Sequence, residues 1–240
     1  MVKKILLNRD NEKFYIRELK NDFHTNFGFI PSSSLKKNGK VTTNTGKEFT
    51  LFDSNFIDVY DKLKRHAQII SLKEIGAIIA CTGIGRDSFV VDAGAGTGAL
   101  ACFIANIAKK VVTYDIDERS LAATNENVEL LGLKNIKVKN GNVYEKVDEE
   151  EVDVFTLDVP EPWKAFDNIS KCLKLGGFLV AYSPQITQSQ RTVVEAGRYG
   201  FLCLKTTELI EREWVLDERR ARPDFQGLGH TGFLSFFRKI

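Results

Sequence analysis

Residues 90–100 read Val-Val-Asp-Ala-Gly-Ala-Gly-Thr-Gly-Ala-Leu. An apolar run, Ser88–Asp92, ends in an acid, passes through glycines at 94, 96 and 98, and opens a helix expected over Gly98–Lys110. Glycine lets a chain turn sharply at the carboxyl end of a strand and approach a ligand closely. The helix that follows points its free N–H groups at the same place. The spacing is G-x-G-x-G, not the G-x-G-x-x-G of dinucleotide folds, and no Gly-Lys-Ser/Thr follows as a phosphate loop requires. A glycine-rich turn with no ligand also satisfies these eleven residues.

Outward from this stretch, strands and helices alternate. Helix Leu72–Cys81 precedes it. Strand Val111–Asp115, helix Glu118–Leu131 and strands Ile136–Lys139 and Val152–Asp158 follow. Next come helix Trp163–Leu173 stopped by Gly176-Gly177, strand Phe178–Tyr182 and helix Gln185–Gly197. The last runs, Leu202–Leu209 and Gly232–Phe237, have no clear helix between them. Such alternation predicts an α/β, doubly wound, mostly parallel Rossmann-like sheet, with an antiparallel C-terminal edge strand. Residues 1–53 differ: Lys3–Leu7, Lys13–Leu19 and Lys47–Phe52 are short β-like runs between turn residues, giving a small N-terminal β module. Asp53 or Ser54 is positioned to cap a helix over Phe56–Arg65. The domain division expected is 1–53 and 54–240.

Three strand ends carry chemistry. Asp92 would repel a pyrophosphate but suits an ammonium, directly or through water, which fits the amino-acid end of S-adenosylmethionine. With Gly94, Gly96, Thr97, Gly98, Ala99 and Leu100 it forms the first part of a candidate cofactor site. Asp115 ends the next strand about twenty residues on, where an acid accepts from both ribose hydroxyls; Asp117 and Glu118 serve the following helix start better. Asn142 follows Asn140-Gly141 and is placed to read an adenine amino group, although an ordinary Asn-Gly turn accounts for it as well. To this point the chain resembles the class I S-adenosylmethionine methyltransferases.

The fourth strand leads into Asp158-Val-Pro-Glu-Pro-Trp163. A carboxylate beside an aromatic suits a flat base, accepting from its exocyclic amine. This loop resembles the D-x-P-x-P-W signature of the TrmI tRNA adenine-N1 methyltransferases. Arg65-His-Ala-Gln-Ile-Ile, Tyr182-Ser-Pro-Gln-Ile-Thr-Gln188 and Gly229-His-Thr-Gly-Phe-Leu234 agree with three further family stretches. The resemblance implies S-adenosyl-L-methionine as cofactor, a T-loop adenine of tRNA as substrate and a homotetramer. It implies Asp158 as the catalytic carboxylate, also touching cofactor, and Gln68, Trp163, Tyr182 and His230 at the substrate. Departures are Asp92 for the usual Glu, Ser71 where many members carry Tyr or His, and Asn142 where many have Asp.

Composition narrows the alternatives. Net charge is +2, so RNA contact is expected from local clusters, Lys62–Arg65, Lys36-Lys37 with Lys40, and Arg219-Arg220 with Arg222. Cys81, Cys102, Cys172 and Cys203 are widely spaced and the three histidines form no ligand pair, so no metal site is expected. No run is long and apolar enough for a membrane span or signal peptide, so a cytoplasmic location is expected. Competing readings are a same-fold methyltransferase acting on a small molecule such as a corrin precursor, a non-catalytic RNA-binding subunit, and an NAD-dependent oxidoreductase.

Overall fold

A computed structural model describes residues 2–64, 69–227 and 229–240. The chain divides into two compact units, 1–63 with 129–132, and 64–128 with 133–240.

In the first unit, β1 (Lys4–Leu7), β2 (Lys13–Ile16), β3 (Phe23–Thr25), β4 (Gly28–Ile30), β5 (Gly39–Thr42) and β6 (Glu48–Asp53) precede α1 (Phe56–Tyr60). The antiparallel sheet runs β2-β1-β6-β5, and β3 pairs with β4 in a separate hairpin that the sequence reading did not anticipate. Period-two alternation puts Leu6 and Leu51 in a core with Ile16, Ile30, Leu35 and Phe49, while Ile5 packs with Val2 and Val59. Helix α1 starts at Phe56 as expected but is shorter. Asn55, not Asp53 or Ser54, is its cap, in a reciprocal bond with Asp58. Asp53 is held in β6 by Lys4 (2.8 Å) and Asn38 (2.8 Å). Arg65 lies outside the described residues.

The second unit contains α2 (Leu72–Thr82), β7 (Phe89–Ala93), α3 (Ala99–Ala105), β8 (Lys110–Asp115), α4 (Glu118–Leu131) except for its last three residues, which are counted with the first unit, β9 (Ile136–Asn140) and β10 (Val152–Leu157). It continues with α5 (Phe166–Cys172), β11 (Leu173–Ser183), α6 (Ile186–Ala196), β12 (Phe201–Glu208), β13 (Trp214–Leu216), β14 (Ala221–Pro223) and β15 (Phe233–Lys239). Its seven-stranded sheet is ordered β12-β15-β11-β10-β7-β8-β9. Strands β7 to β11 are mutually parallel, and β15 is antiparallel to both neighbours. The antiparallel strand is therefore the last in sequence, inserted one place in from the edge formed by β12. Val112, Val91, Phe155, Leu179 and Phe237 stand side by side across five strands, and α5 covers that row with Phe166 and Ile169.

Several boundaries move for identifiable reasons. Helix α3 stops at Ala105, not Lys110, because Asn135 Nδ2 donates to the carbonyls of Ala105 and Ala108 (both 2.8 Å). The helix expected over Trp163–Leu173 is a 3-10 turn, Pro162–Ala165, followed by α5. Gly176-Gly177 does not stop a helix. These glycines lie inside β11, whose pairing with β10 shifts register between Val152 and Val154, the mark of a bulge. The hairpin β13–β14 falls where no strand was expected.

Candidate active site

The carboxyl ends of β7, β8, β9 and β10 meet. Gly94 and Ala95 N–H both donate to the Tyr114 carbonyl (3.0 Å each), Gly141 N–H to the Asp115 carbonyl (3.0 Å), and Asp158 N–H to the Ala93 carbonyl (2.8 Å). That last contact explains Gly94, whose φ is +89°. A Cβ there would lie 1.9 Å from the Asp158 carbonyl oxygen. Gly96, at φ +55°, is different, because nothing lies within 4 Å of where its Cβ would be.

Gly96 also lines a cavity of about 300 Å³, together with Gly94, Asp115, Asn142, Tyr144 and Asp158, and Tyr114, Ile116 and Val143 are further parts of the wall. Asp115 Oδ2 accepts from Gly96 N–H (2.9 Å) and Oδ1 from Asp117 N–H (2.9 Å), which latches the glycine loop to β8. Asn142 accepts from Tyr144 N–H (3.0 Å) and donates to Glu145 (2.9 Å), so its amide is held in a turn at the cavity edge. Asp92 is only 2% exposed. Its register mates on either side, Thr113 and Thr156, each donate to it at 2.7 Å. Burial pushes its carboxyl up to about 6 against the pull of those two hydroxyls, with nearby Asp115 adding to the rise. Asp92 thus sits beneath the loop, within the sheet. Thr97 is buried, and its hydroxyl has no hydrogen-bond partner among the described residues. Ala99 and Leu100 are buried in the first turn of α3.

Asp158 also bounds a second cavity, about 640 Å³, with Pro160, Trp163, Pro184, Gln188 and Arg191. Burial, then the charges of Asp92 and Asp115, push its carboxyl up to about 7. Gln188 Nε2 donates to the carbonyls of Val159 (3.3 Å) and Pro160 (2.9 Å) and pins the Asp158–Trp163 loop to α6. The Arg191 guanidinium lies 4.0 Å from the centre of the Trp163 ring. Tyr182 is 8% exposed and donates its hydroxyl to the Thr231 carbonyl, its ring against Gly232. Burial, then Asp158 and Glu74, push its phenol up to about 12. It backs the site from within the sheet. His230 reaches the Pro184 carbonyl with Nε2 (2.9 Å) and Glu208 with Nδ1 (2.5 Å). Glu208 and that carbonyl raise its pKa. Gln68 lies outside the described residues. Ser71 is the N-cap of α2, in a reciprocal bond with Glu74.

The structure thus gathers Asp115, Asn142, Gly94, Gly96 and Asp158 at one cavity and Asp158 and Trp163 at the other. Tyr114, Tyr144 and Arg191 were not singled out by sequence reasoning, and Gln188 entered only as the last residue of the Tyr182–Gln188 stretch. Tyr114 directly precedes Asp115, and Gln188 and Arg191 are one turn apart on α6; spacing alone carried no signal for their lining role. Of the basic clusters, Lys62 lies over the Tyr15 ring (3.8 Å), Lys64 pairs with Glu126, Arg220 pairs with Asp217 (2.6 Å) and Arg222 lies over Phe225 (4.3 Å).

The smaller cavity fits S-adenosylmethionine. Its wall carries two carboxylates and no lysine or arginine, suiting a cationic ligand and opposing a pyrophosphate. Gly96, on the wall, has nothing within 4 Å of where a Cβ would lie, which leaves room there for a bound group.

The family model described as the tRNA methyltransferase complex GCD14 subunit matches residues 60–223. The chain is 31% identical to the tRNA (adenine(57)-N(1)/adenine(58)-N(1))-methyltransferase TrmI of Methanocaldococcus jannaschii, over 98% of this chain and 94% of that one. It is 31% identical to the tRNA (adenine(58)-N(1))-methyltransferase TrmI of Thermus thermophilus, over 90% and 88%. Among solved structures, an S-adenosylmethionine-dependent O-methyltransferase of Thermotoga maritima superposes with a TM-score of 0.87 at 26% identity, covering 100% of this chain and 93% of that one. TrmI of Aquifex aeolicus shares the fold, with a TM-score of 0.81 at 23% identity over 99% and 96%.

Proposed function

From the premise that this chain belongs to the tRNA methyltransferase family of the GCD14 subunit and TrmI, we propose that it transfers the methyl group of S-adenosylmethionine to N1 of a T-loop adenine in tRNA. We also propose that it works in the cytoplasm as a homotetramer, the assembly implied by its resemblance to TrmI and a closed symmetry of a common kind. The observation that carries the reading is Asp158, which borders both the acid-walled cavity and the larger cleft containing Trp163.

S-adenosylmethionine supplies a methyl group made electrophilic by its sulfonium charge. Asp115 would accept from the ribose hydroxyls, Asn142 would edge the adenine end, and Gly96 would leave room for the ligand's approach. Asp92, capped by Thr113 and Thr156, lends negative potential from below the loop. In the cleft, Asp158 accepts from the exocyclic amine of the target adenine and orients the base. The N1 lone pair is already nucleophilic, so positioning supplies most of the rate. As N1 gains the methyl group the ring becomes cationic, and the adjacent carboxylate stabilises that charge until an amine proton leaves. N1 is hidden in a paired or stacked base, so the nucleotide is extruded into the cleft. His230 and Tyr182 fix the Pro184 and Thr231 backbone behind it.

The test is to incubate the protein with unmodified tRNA transcript and labelled S-adenosylmethionine and to analyse the nucleosides by mass spectrometry. The expected product is 1-methyladenosine from the T-loop. Label in another nucleoside, or no label in RNA, overturns the reading.

A further inference from the structure

Arg191 stands apart from the other charged groups around the cleft. It projects from α6 one turn beyond Gln188, is exposed, and has no carboxylate or hydrogen-bond partner among the described residues. Its one described contact is the face of Trp163. Trp163 lines the same cavity, and its Nε1 is buried without a hydrogen-bond partner among the described residues. The guanidinium carbon thus lies over one face of the indole. A planar cation held flat on an aromatic keeps its N–H edge free for an acceptor. Of the acidic groups at this end of the sheet, Asp158 borders this cleft as well as the smaller cavity, while Asp115 borders the smaller cavity alone. Arg191 is the sole arginine or lysine on the described wall of the larger cleft. Gln185, the N-cap of α6, and Thr187 in its first turn form part of that wall, and a helix N-terminus favours an anion.

We infer that Arg191 anchors a backbone phosphate of the nucleic-acid substrate beside the extruded nucleotide, and that Trp163 is the platform holding Arg191 rather than the surface on which the base stacks. The inference rests on the functional reading above and deepens it. A phosphate gripped at Arg191 fixes the sugar–phosphate chain on the α6 side of the cleft and lets the base swing toward Asp158. Gln188 couples the two ends, because it holds the loop that starts at Asp158 and leads to Trp163.

The experiment compares wild type with Arg191→Ala, Arg191→Lys, Trp163→Leu and the Arg191→Ala/Trp163→Leu double variant. It measures tRNA affinity at several salt concentrations, S-adenosylmethionine affinity, melting temperature and the separate kcat and KM for tRNA. For Arg191→Ala, tRNA affinity should fall roughly tenfold, as for loss of a charged hydrogen bond. The slope of log affinity against log salt should shrink by about 0.7–0.9, the loss of one phosphate contact. Cofactor affinity and melting should be unchanged. Arg191→Lys should restore the salt slope but only part of the affinity, since an ammonium lacks the planar fork. Trp163→Leu should weaken tRNA binding in wild type and add nothing in the Arg191→Ala background.

Inorganic phosphate serves as competitor to separate the anion from its carrier. Arg191-dependent inhibition by millimolar phosphate, together with the changed salt slope, supports a phosphate subsite used by RNA. Inhibition with an unchanged slope means free phosphate alone is bound, and overturns the inference. An Arg191→Ala protein with wild-type affinity and slope overturns it too, as does additive loss in the double variant, which would return Trp163 to base stacking. If wild type fails to methylate tRNA, the functional reading and this inference fall together. An unaffected Arg191→Ala in an active background sinks the inference alone.

Discussion

Asp158 faces two requirements that pull in opposite directions. A carboxylate near a forming cationic ring must be ionised, yet burial and its acidic neighbours push its pKa up to about 7. Turnover should therefore rise with pH through about 7 and level off above it, as read from single-turnover methylation at saturating cofactor and tRNA. Asp158→Asn should lose that limb together with roughly 10²–10³ in kcat, the usual loss of an electrostatic stabiliser, while retaining much of its tRNA affinity. The stability sign is opposite. A carboxyl whose folded pKa is raised binds more protons folded than unfolded, so its contribution falls as pH rises from about 4 to about 7. Above that window Asp158→Asn should melt no lower than wild type, which separates catalytic loss from unfolding; near-wild-type rates in a stable Asp158→Asn protein would end the catalytic assignment. Asp115 has a different signature. It both faces the cofactor cavity and latches Gly96. Asp115→Ala should weaken S-adenosylmethionine binding by about 1–3 kcal/mol in calorimetry, and equal affinity would remove its assignment to the ribose. That an acid stood at each of these strand ends was legible in the sequence. The sequence did not reveal that Asp92 spends both oxygens on Thr113 and Thr156, because those partners come from neighbouring strands 21 and 64 residues away.

At the scale of the element, the glycine loop contains two glycines with distinct duties. Gly94 is required by the Asp158 backbone, so Gly94→Ala forces the β7 and β10 ends apart. It should cost more than about 3 kcal/mol in a denaturation curve, within the range of severe backbone clashes. Gly96 is the one we propose the ligand requires. Gly96→Ala has space and should fold, at a cost of about 1–2 kcal/mol for its left-handed conformation, yet lose cofactor affinity because the methyl group enters the cavity. Equal effects of the two changes on melting would contradict this division. G-x-G-x-G announced the loop from the sequence but not which glycine answered to which neighbour. Long elements such as α4 were legible to their ends because cap and periodicity agree. Gly176-Gly177 misled because glycine marks bulges as well as stops, and only pairing with β10 distinguishes them. The end of α3 was hidden for the same reason, since its carbonyls are capped by Asn135 from far along the chain.

For the whole molecule, the proposed tetramer should give about four times the 27.0 kDa chain mass by light scattering at micromolar concentration; a monomeric mass would contradict it. The parallel half of the sheet followed from strand–helix alternation, and pairing of the two late strands followed from the missing helix between them. Their order did not, because β12 and β15 are joined by 24 residues containing the separate hairpin β13–β14, and no local pattern says which strand goes inside. That order has a consequence for biosynthesis. Strand β12 leaves the ribosome before β15 but has no place in the sheet until β15 arrives to lie between it and β11. Until then β11 presents an open, apolar edge beside residues such as Leu179 and Ala181, so the nascent chain is exposed to strand-pairing errors and to chaperones. Completion of the methyltransferase sheet therefore waits for β15. Translation products cut short before residue 233 should be cleared by proteases as unfinished folds, not accumulate as cofactor-binding fragments that compete for tRNA.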